Sequence, residues 1–584
     1  MAGETAGGGR RPDLADGAAL VAILAAVLYF AWPLPSGLGS MLPGHQGHSG
    51  LQGALFFEWN IQRKLAEGRL PGWFGSPWVA LPEGLPFETK VVFSGFLLLF
   101  MLLSVPLDLV PAHNATVLVA LVLGAGCAFA LLRERCRSAA WALAGALLFG
   151  IGPYVALKLE QGFIHKATLF PLPLAVLLGL RLLERPSART AAGFLALLGL
   201  TGLVYLPFAG FLLLMLAPVA VSILVRRLGW GRVRAPLLGA AGLLLVLLLA
   251  AAGSLHTGHA WPGSMDLGAG AYRLEGGYLE PLRFYRWHPY LEVPPGVPEA
   301  FVASLTLGLP VLAGALACLA AWRGVGLARA WLLAAALLLL LMAGPVLLDG
   351  GEPVRLGRWE VALPLRLVAA MPLGAVFRMP IRMLPFVQLA LLLAAGELFV
   401  PGRGGRVAWR GLRGLAALLG AVVLIETWLL FPEYRHLRVE PVRTPEFCAA
   451  EAGDGDAVLH YPWNPTRFHA YVFFAALCDR PMVNNDLWRP PHLMLPQASD
   501  GEDVKLRFLE SLSAMGVGWV LVHQDEYAAR SQAPDDHGLP SDAGVETWLG
   551  ELCGPPRRYP GDALLAWRLD PETGCHAPGD PASP

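Results

Sequence analysis

Apolar residues in this chain gather into runs close to the ~20 residues needed to span a bilayer, each bounded by charges or by Pro and Gly. Such runs lie near 18 to 34, 91 to 110, 114 to 132, 138 to 157, 167 to 183, 190 to 205, 207 to 225, 235 to 253, 299 to 321, 328 to 348, 384 to 400 and 412 to 431. The pattern predicts a polytopic α-helical membrane protein with about 11–13 transmembrane helices. Arg10 and Arg11 precede the first run and no small-residue cleavage site follows it, so it reads as a retained anchor behind a cytoplasmic tail, residues 1 to 17.

Arginine clusters sort the loops. Arg133, Arg135 and Arg137; Arg181, Arg185 and Arg189; Arg226, Arg227, Arg232 and Arg234; Arg323 and Arg329; and Arg403, Arg406, Arg410 and Arg413 all belong to the cytoplasmic side by the positive-inside rule. That assignment puts 158 to 166, 254 to 297, 349 to 382 and everything after 431 on the outer face. It also exposes a parity fault: three full crossings between residues 17 and 133 would leave the first arginine cluster outside. One run before residue 133 is therefore miscounted, re-entrant or split. The outer segments 35 to 90 and 254 to 297 are long and rich in aromatics, Pro and His, which places any chemistry on the outer face.

Beyond residue 431 the pattern changes. Short apolar runs at 457 to 461, 517 to 523 and 564 to 569 predict buried strands, and 503 to 515 has helical periodicity through Val504, Leu506, Leu509 and Leu512, with Gly516 as terminator. The chain therefore divides into a transmembrane domain, 18 to 431, and a small C-terminal α/β extracytoplasmic domain, 432 to 584. Cys448, Cys478, Cys553 and Cys575 fall in the latter; they permit two disulfides in three pairings, or four buried thiols.

Composition agrees with the pattern: 584 residues, 55% hydrophobic, only 15% charged. Lys+Arg and Asp+Glu both number 44, so the net charge is zero and the chain has no basic field to gather nucleic acid. Zinc, P-loop, Rossmann and Ser/His/Asp signatures are missing, so no cofactor is expected, and no sequence feature supports a divalent metal.

Candidate chemistry lies in four outer segments. In the first loop, Leu51, Leu55, Phe56, Trp59 and Arg63 sit at helical spacing, which predicts an amphipathic interfacial helix. Among its polar residues, His48, Glu58 and Glu88 are candidate catalytic bases, because a carboxylate or neutral imidazole can take a hydroxyl proton; singly, each also reads as a solvated loop residue. Gln161 and His165 stand just outside a span, where histidine more often bonds a neighbouring helix. Arg283, Arg286 and Trp287 belong to a segment of interleaved aromatics and arginines, suited to a phosphosugar or to an ordinary aromatic belt. Arg378 and Arg382 stand four apart at the outer entry to a span, against the usual charge bias, and can grip a phosphate.

The order of several segments resembles bacterial polytopic glycosyltransferases of the GT-C class, in the broad group of uncharacterised and YfhO-like members. The segments are LAEGRLPGW and PEG, AHN opening a span, LLRERCRSAAWALAGALLFGIGPY, QGFIHKATLFPLPL and FRMPIRMLPF, followed by VLHYPWNP, CDRPMVNND, MGVGWVLVHQDEY and LLAWRLD in the tail. The resemblance implies transfer of a sugar from a polyprenyl-(di)phosphate donor to a glycan, lipid or protein acceptor at the outer face of the cytoplasmic (inner) membrane. In that class an acidic residue of the first outer loop, commonly Asp, serves as base or positions the acceptor. Here His48 stands near that position, and there is no Asp between Asp16 and Asp108. By the same resemblance Gln161 and His165 match an altered Gly-His motif, and Arg378 and Arg382 match the segment that holds donor phosphate. The alternative is a non-catalytic membrane protein that binds lipid-linked sugars or assists envelope polysaccharide assembly. A secondary transporter ranks last, because no internal repeat is evident.

Overall fold

A computed structural model describes residues 14–47, 49–68, 95–136, 138–236, 238–239, 309–324, 326–349, 352–357, 359–370, 380–400, 436–451, 456–461, 468–483, 501–524 and 545–569. Among the site residues expected from sequence, His48, Glu88, Arg283, Arg286, Trp287 and Arg378 lie outside these, as do Cys575, the run at 412 to 431 and, beyond residue 239, the run at 235 to 253.

The first part of the chain is helical: α1 (Leu14–Phe30), α2 (Ser49–Ala66), α3 (Gly95–Ser104), α4 (Leu109–Cys136), α5 (Ala139–Ile151), α6 (Pro153–Glu160), α7 (Ile164–Ala167), α8 (Pro171–Glu184), α9 (Ala188–Val204), α10 (Leu206–Leu228), α11 (Leu309–Trp322) and α12 (Ala328–Met342), with strand β1 (Met41–Pro43) before α2. Two small hairpins follow, β2 (Leu348–Asp349) with β3 (Glu352–Pro353) and β4 (Arg355–Leu356) with β5 (Trp359–Glu360). Then come α13 (Pro364–Ala370), a 3-10 turn (Pro380–Met383) and α14 (Leu384–Gly396).

Among the described residues, four segments are long and apolar enough to cross a membrane: Leu109–Cys136, Ala139–Glu160, Ile164–Glu184 and Leu206–Leu228. Local sequence explains the starts of α5 and α9. Ser138 accepts a hydrogen bond from the Trp141 amide and Ser187 from the Thr190 amide, satisfying donors that the first helical turn leaves orphaned. The bundle closes around α14, whose residues are almost all buried, and the Trp141 indole N–H donates to the Leu392 carbonyl across the α5–α14 contact. Small residues permit close helix approach. Gly124 and Gly150 face one another between α4 and α5, where a Cβ on Gly150 would lie 2.6 Å from the Ala125 Cβ.

The bundle has two chemically distinct ends. At one, Arg133 pairs with Asp16 at 2.5 Å, Arg135 with Glu184 at 2.6 Å and Arg181 with Glu134, while Arg227 donates to the Leu183 carbonyl and Arg226 to that of Gly326. The Asp16–Arg133 contact bears on the parity fault. Residues 16 and 133 share one end, so the chain between them leaves and returns. The run at 91 to 110 is interrupted: α3 covers Gly95–Ser104, about 15 Å at 1.5 Å per residue, and α4 begins at Leu109.

At the other end the C-terminal part docks. Strand β6 (Val439–Pro441) pairs antiparallel with β1, Met41 opposite Pro441, and the Leu437 amide donates to the Phe30 carbonyl. Beyond it lie α15 (Glu446–Ala450), β7 (Ala457–Tyr461), α16 (Phe468–Cys478), α17 (Glu502–Ala514), β8 (Val517–His523), α18 (Val545–Cys553), β9 (Arg557–Tyr559) and β10 (Leu564–Arg568). The strands form one mixed sheet in the order β7-β8-β10-β9, with β7 parallel to β8 and the other neighbours antiparallel. Period-two alternation divides its side chains. Val517, Val520, Val522, Leu565 and Trp567 face α17 and α18, whereas Val458, Trp519, Leu521, Leu564 and Ala566 face α15 and α16. Cys448 and Cys478 form a disulfide, Cα–Cα 5.2 Å, joining α15 to α16, and Cys553 is also disulfide-bonded.

Candidate functional site

Helix α2 is amphipathic, as its spacing predicts, but both of its faces are buried. Leu51, Leu55, Glu58 and Gln62, spaced four, three and four apart, face the bundle: the two leucines join its core, and the Gln62 amide donates to the Leu107 carbonyl. Phe56, Trp59 and Arg63 face the C-terminal domain. The two aromatic rings join the cluster of Phe447, Tyr471 and Trp519. The Trp59 indole N–H donates to Asp479 Oδ1 at 2.7 Å, and Arg63 lies 3.4 Å from the same oxygen.

The start of α2 rests on the turn after α6. Gly162 adopts φ +67°, a left-handed conformation that favours glycine, and a Cβ there would collide with the Leu51 backbone. Nearby, the His45 amide donates to the Glu160 carbonyl at 3.1 Å, and its ring nitrogen Nδ1 lies 2.9 Å from Glu440 Oε1. The first loop, the α6–α7 turn and β6 thus meet at one end of the bundle.

A cationic cluster sits beside that junction. Lys158 near the end of α6, His165 and Lys166 in α7, and Arg382 in the turn before α14 come together around Tyr154, Phe163 and Tyr205. Lys158, Lys166 and Arg382 are only 6%, 6% and 8% exposed. The Lys158 ammonium donates to Gln161 Oε1 at 2.8 Å. The Lys166 ammonium lies 3.6 Å from the Phe163 ring centroid, and the Arg382 guanidinium lies 4.8 Å from that of Tyr205 while donating to the Tyr205 hydroxyl. Arg382, Lys158 and Lys166 all act electrostatically on His165. Three cations gathered on aromatic faces can hold an oxyanion, with Arg382 supplying a planar fork and the lysines point charges.

Three residues expected from sequence, Gln161, His165 and Arg382, are therefore brought into one place. Lys158, Lys166, Tyr154 and Tyr205 join them unforeseen. The available signal was the presence of two lysines at the edge of apolar runs, since charge at membrane depth is costly and commonly functional.

Glu58 is elsewhere. It lies two turns along α2 from Gly50, about 12 Å at 1.5 Å per residue, at 0% exposure, with Oε2 2.7 Å from His113 Nδ1. Burial pushes its carboxyl up from the ordinary glutamate range, against the opposing pull of His113. The neighbouring Asn114 side chain donates to the Leu38 and Met41 carbonyls, both at 2.7 Å, so the first turns of α4 hold the first loop at two points. Among the described residues no group of three or more His, Cys, Asp or Glu is placed to hold a metal ion.

No family model and no curated relative matches the chain. Among solved structures it is similar to the archaeal oligosaccharyltransferase AglB from Archaeoglobus fulgidus, in complex with an inhibitory peptide and a dolichol-phosphate. That likeness has 14% identity and a TM-score of 0.45, and covers 88% of this chain and 70% of that one. It is also similar to the apo form of the Archaeoglobus fulgidus oligosaccharyltransferase, at 13% identity and a TM-score of 0.41, covering 89% of this chain and 72% of that one.

Proposed function

We propose that the protein is a membrane glycosyltransferase that moves a sugar from a polyprenyl-(di)phosphate donor to an envelope acceptor at the outer face of the cytoplasmic membrane. The observation that carries this reading is the convergence of Lys158, Lys166 and Arg382, each under a tenth exposed, at the end of the bundle where the C-terminal domain docks. In such a transfer the acceptor hydroxyl oxygen bonds to the anomeric carbon and the bond from that carbon to the donor phosphate oxygen breaks. The electron pair leaves on the lipid phosphate, and the hydroxyl proton goes to a base. Because the leaving group is already a phosphate, stabilising its charge matters more than protonating it. Preorganised cations do so without reorganising as the reaction proceeds. Lys158, Lys166 and Arg382 are assigned to that task, Gln161 to orienting Lys158, and the faces of Tyr154 and Tyr205 to the donor. His48 and Glu88 remain the candidate bases.

A second reading, a binder of lipid-linked sugars without catalysis, draws on the absence of an Asp between Asp16 and Asp108 and on the complete burial of Glu58 against His113. One experiment separates the two. Purified protein in lipid is offered a panel of radiolabelled polyprenyl-phosphate sugars, with Lys166→Met and His48→Ala as variants. Transfer by the wild type that both variants abolish supports the enzyme. Donor binding that depends on Lys166, with no transfer to any acceptor, supports the binder.

A further inference from the structure

The Glu58–His113 pair is central to how the outer end is built, and its protonation state can be argued from geometry. Both side chains are fully buried and meet at 2.7 Å. Glu58 Oε1 and His113 Nε2 have no hydrogen-bond partner among the described residues. Three charge states fit the contact. A carboxylate beside a neutral imidazole buries a net charge. A carboxylate beside an imidazolium buries two charges, one with an unanswered anionic oxygen and the other with an unanswered cationic N–H. A carboxylic acid donating from Oε2 to Nδ1 leaves only a neutral carbonyl oxygen and a neutral N–H unanswered. Burying a charge without full hydrogen bonding costs far more than burying a neutral polar atom.

Among the described residues, His113 is the charge-bearing group that acts on Glu58. Helix α3 contributes no ionisable side chain, and its Phe96 ring stands edge-on to His113, with ring centroids 6.0 Å apart. From α4 comes His113 itself. On α2, Arg63 turns to Asp479, which follows α16 on the opposite side, and the His165 and Lys166 of α7 belong to the cation cluster.

We propose that Glu58 keeps its proton at neutral pH and serves as a positioning residue: a carboxylic acid donating to His113 Nδ1, which seats α2 on α4. The pair thereby fixes a helix with two loads, since the opposite face of α2 carries the C-terminal domain through Phe56 and Trp59. Beside it, Asn114 holds the loop that leads into α2. Glu58 is on this account not the base of the transfer reaction, and the proposal stands whether or not the transfer reading does.

The test is infrared difference spectroscopy on the full chain in lipid, wild type against Glu58→Gln, at pH 7 in light and heavy water, with unfolding followed in parallel. A carboxylic-acid C=O band in the wild type that Glu58→Gln removes is the expected result. Glu58→Gln, whose amide can still donate to Nδ1, then unfolds within about 3 °C of wild type, while Glu58→Ala unfolds clearly lower. Loss of only a carboxylate band at pH 7, with Glu58→Gln as damaging as Glu58→Ala, would establish an ionised pair and overturn the proposal.

Discussion

Replacing Arg382 by Ala removes the planar cation from the proposed phosphate site, and the structure sets the size of the effect. Arg382 is 8% exposed, donates to the Tyr205 hydroxyl and lies 4.8 Å from the Tyr205 ring centroid, so its guanidinium is pre-aimed rather than free to wander. A hydrogen bond to a charged group contributes about 1.5–3 kcal/mol net, and about 1.4 kcal/mol is a factor of ten in affinity. Loss of one such contact to phosphate therefore weakens polyprenyl-phosphate binding about 10- to 150-fold. Arg382→Lys retains a charge but gives up the fork and much of the ring contact, and falls between wild type and Ala. Tyr205→Phe keeps the ring and removes only the hydroxyl that orients Arg382, so its loss is smaller than that of Arg382→Ala. The assay is native mass spectrometry of the purified chain in nanodiscs titrated with polyprenyl phosphate, with circular dichroism to establish that each variant folds. Because the site is buried, the ranking persists at raised salt. Folded Arg382→Ala that binds as tightly as wild type would refute the assignment of this cluster to phosphate.

Three further outcomes follow from the packing. Gly150→Ala puts a methyl 2.6 Å from the Ala125 Cβ and 2.7 Å from its amide nitrogen, so α4 and α5 must part and the bundle loses about 1–3 kcal/mol; unchanged unfolding in detergent would contradict the close contact. Trp59→Ala deletes a ring buried between α2 and the C-terminal domain, a loss of about 3–5 kcal/mol, and should make residues near 436 to 445 protease-sensitive while the bundle stays folded. Glu440 is held below the ordinary glutamate range: burial alone would raise it, but the Gln46 amide, His45 and Arg438 outweigh that. A lowered carboxylate stabilises the fold above its unfolded value, about 4.3, and that contribution is lost as pH falls through the lower folded value. Acid unfolding of Glu440→Gln should accordingly lack part of the wild type's loss of stability below about pH 4.3, and an unchanged acid limb would contradict the assignment.

What the sequence made legible follows from the range of the interactions involved. Strands β7, β8 and β10 were visible because each is a short apolar run facing two covered layers, so AVLHY and VGWVLVH read as continuous burial, whereas the edge strand β9, with Arg557 and Arg558 exposed, carries no apolar run. The arginine-rich end was visible because Arg133, Arg135, Arg181, Arg226 and Arg227 all fall at the boundaries of apolar runs. The Glu58–His113 contact was not, because 55 positions separate the two residues and neither carries a local signal beyond being polar. Lys158 stands just past the apolar run at 138 to 157 and read as part of the outer segment 158 to 166; its place beside Arg382 emerges only when the turn carrying Arg382 folds back across more than 200 residues. The run at 91 to 110 resembled one crossing because it is apolar apart from Ser94, Ser104 and Asp108, whereas α3 and α4 divide it at the Pro-containing stretch 105 to 108.

The central claim, that the buried cations receive the phosphate of a lipid-linked donor, is tested most directly by a cryo-electron microscopy map of the full chain in nanodiscs with a polyprenyl-phosphate sugar. The account predicts phosphate density in contact with Arg382, Lys158 and Lys166, with the lipid chain running along the outer half of the bundle. Donor density held elsewhere, with these three side chains turned away from it, would contradict the account.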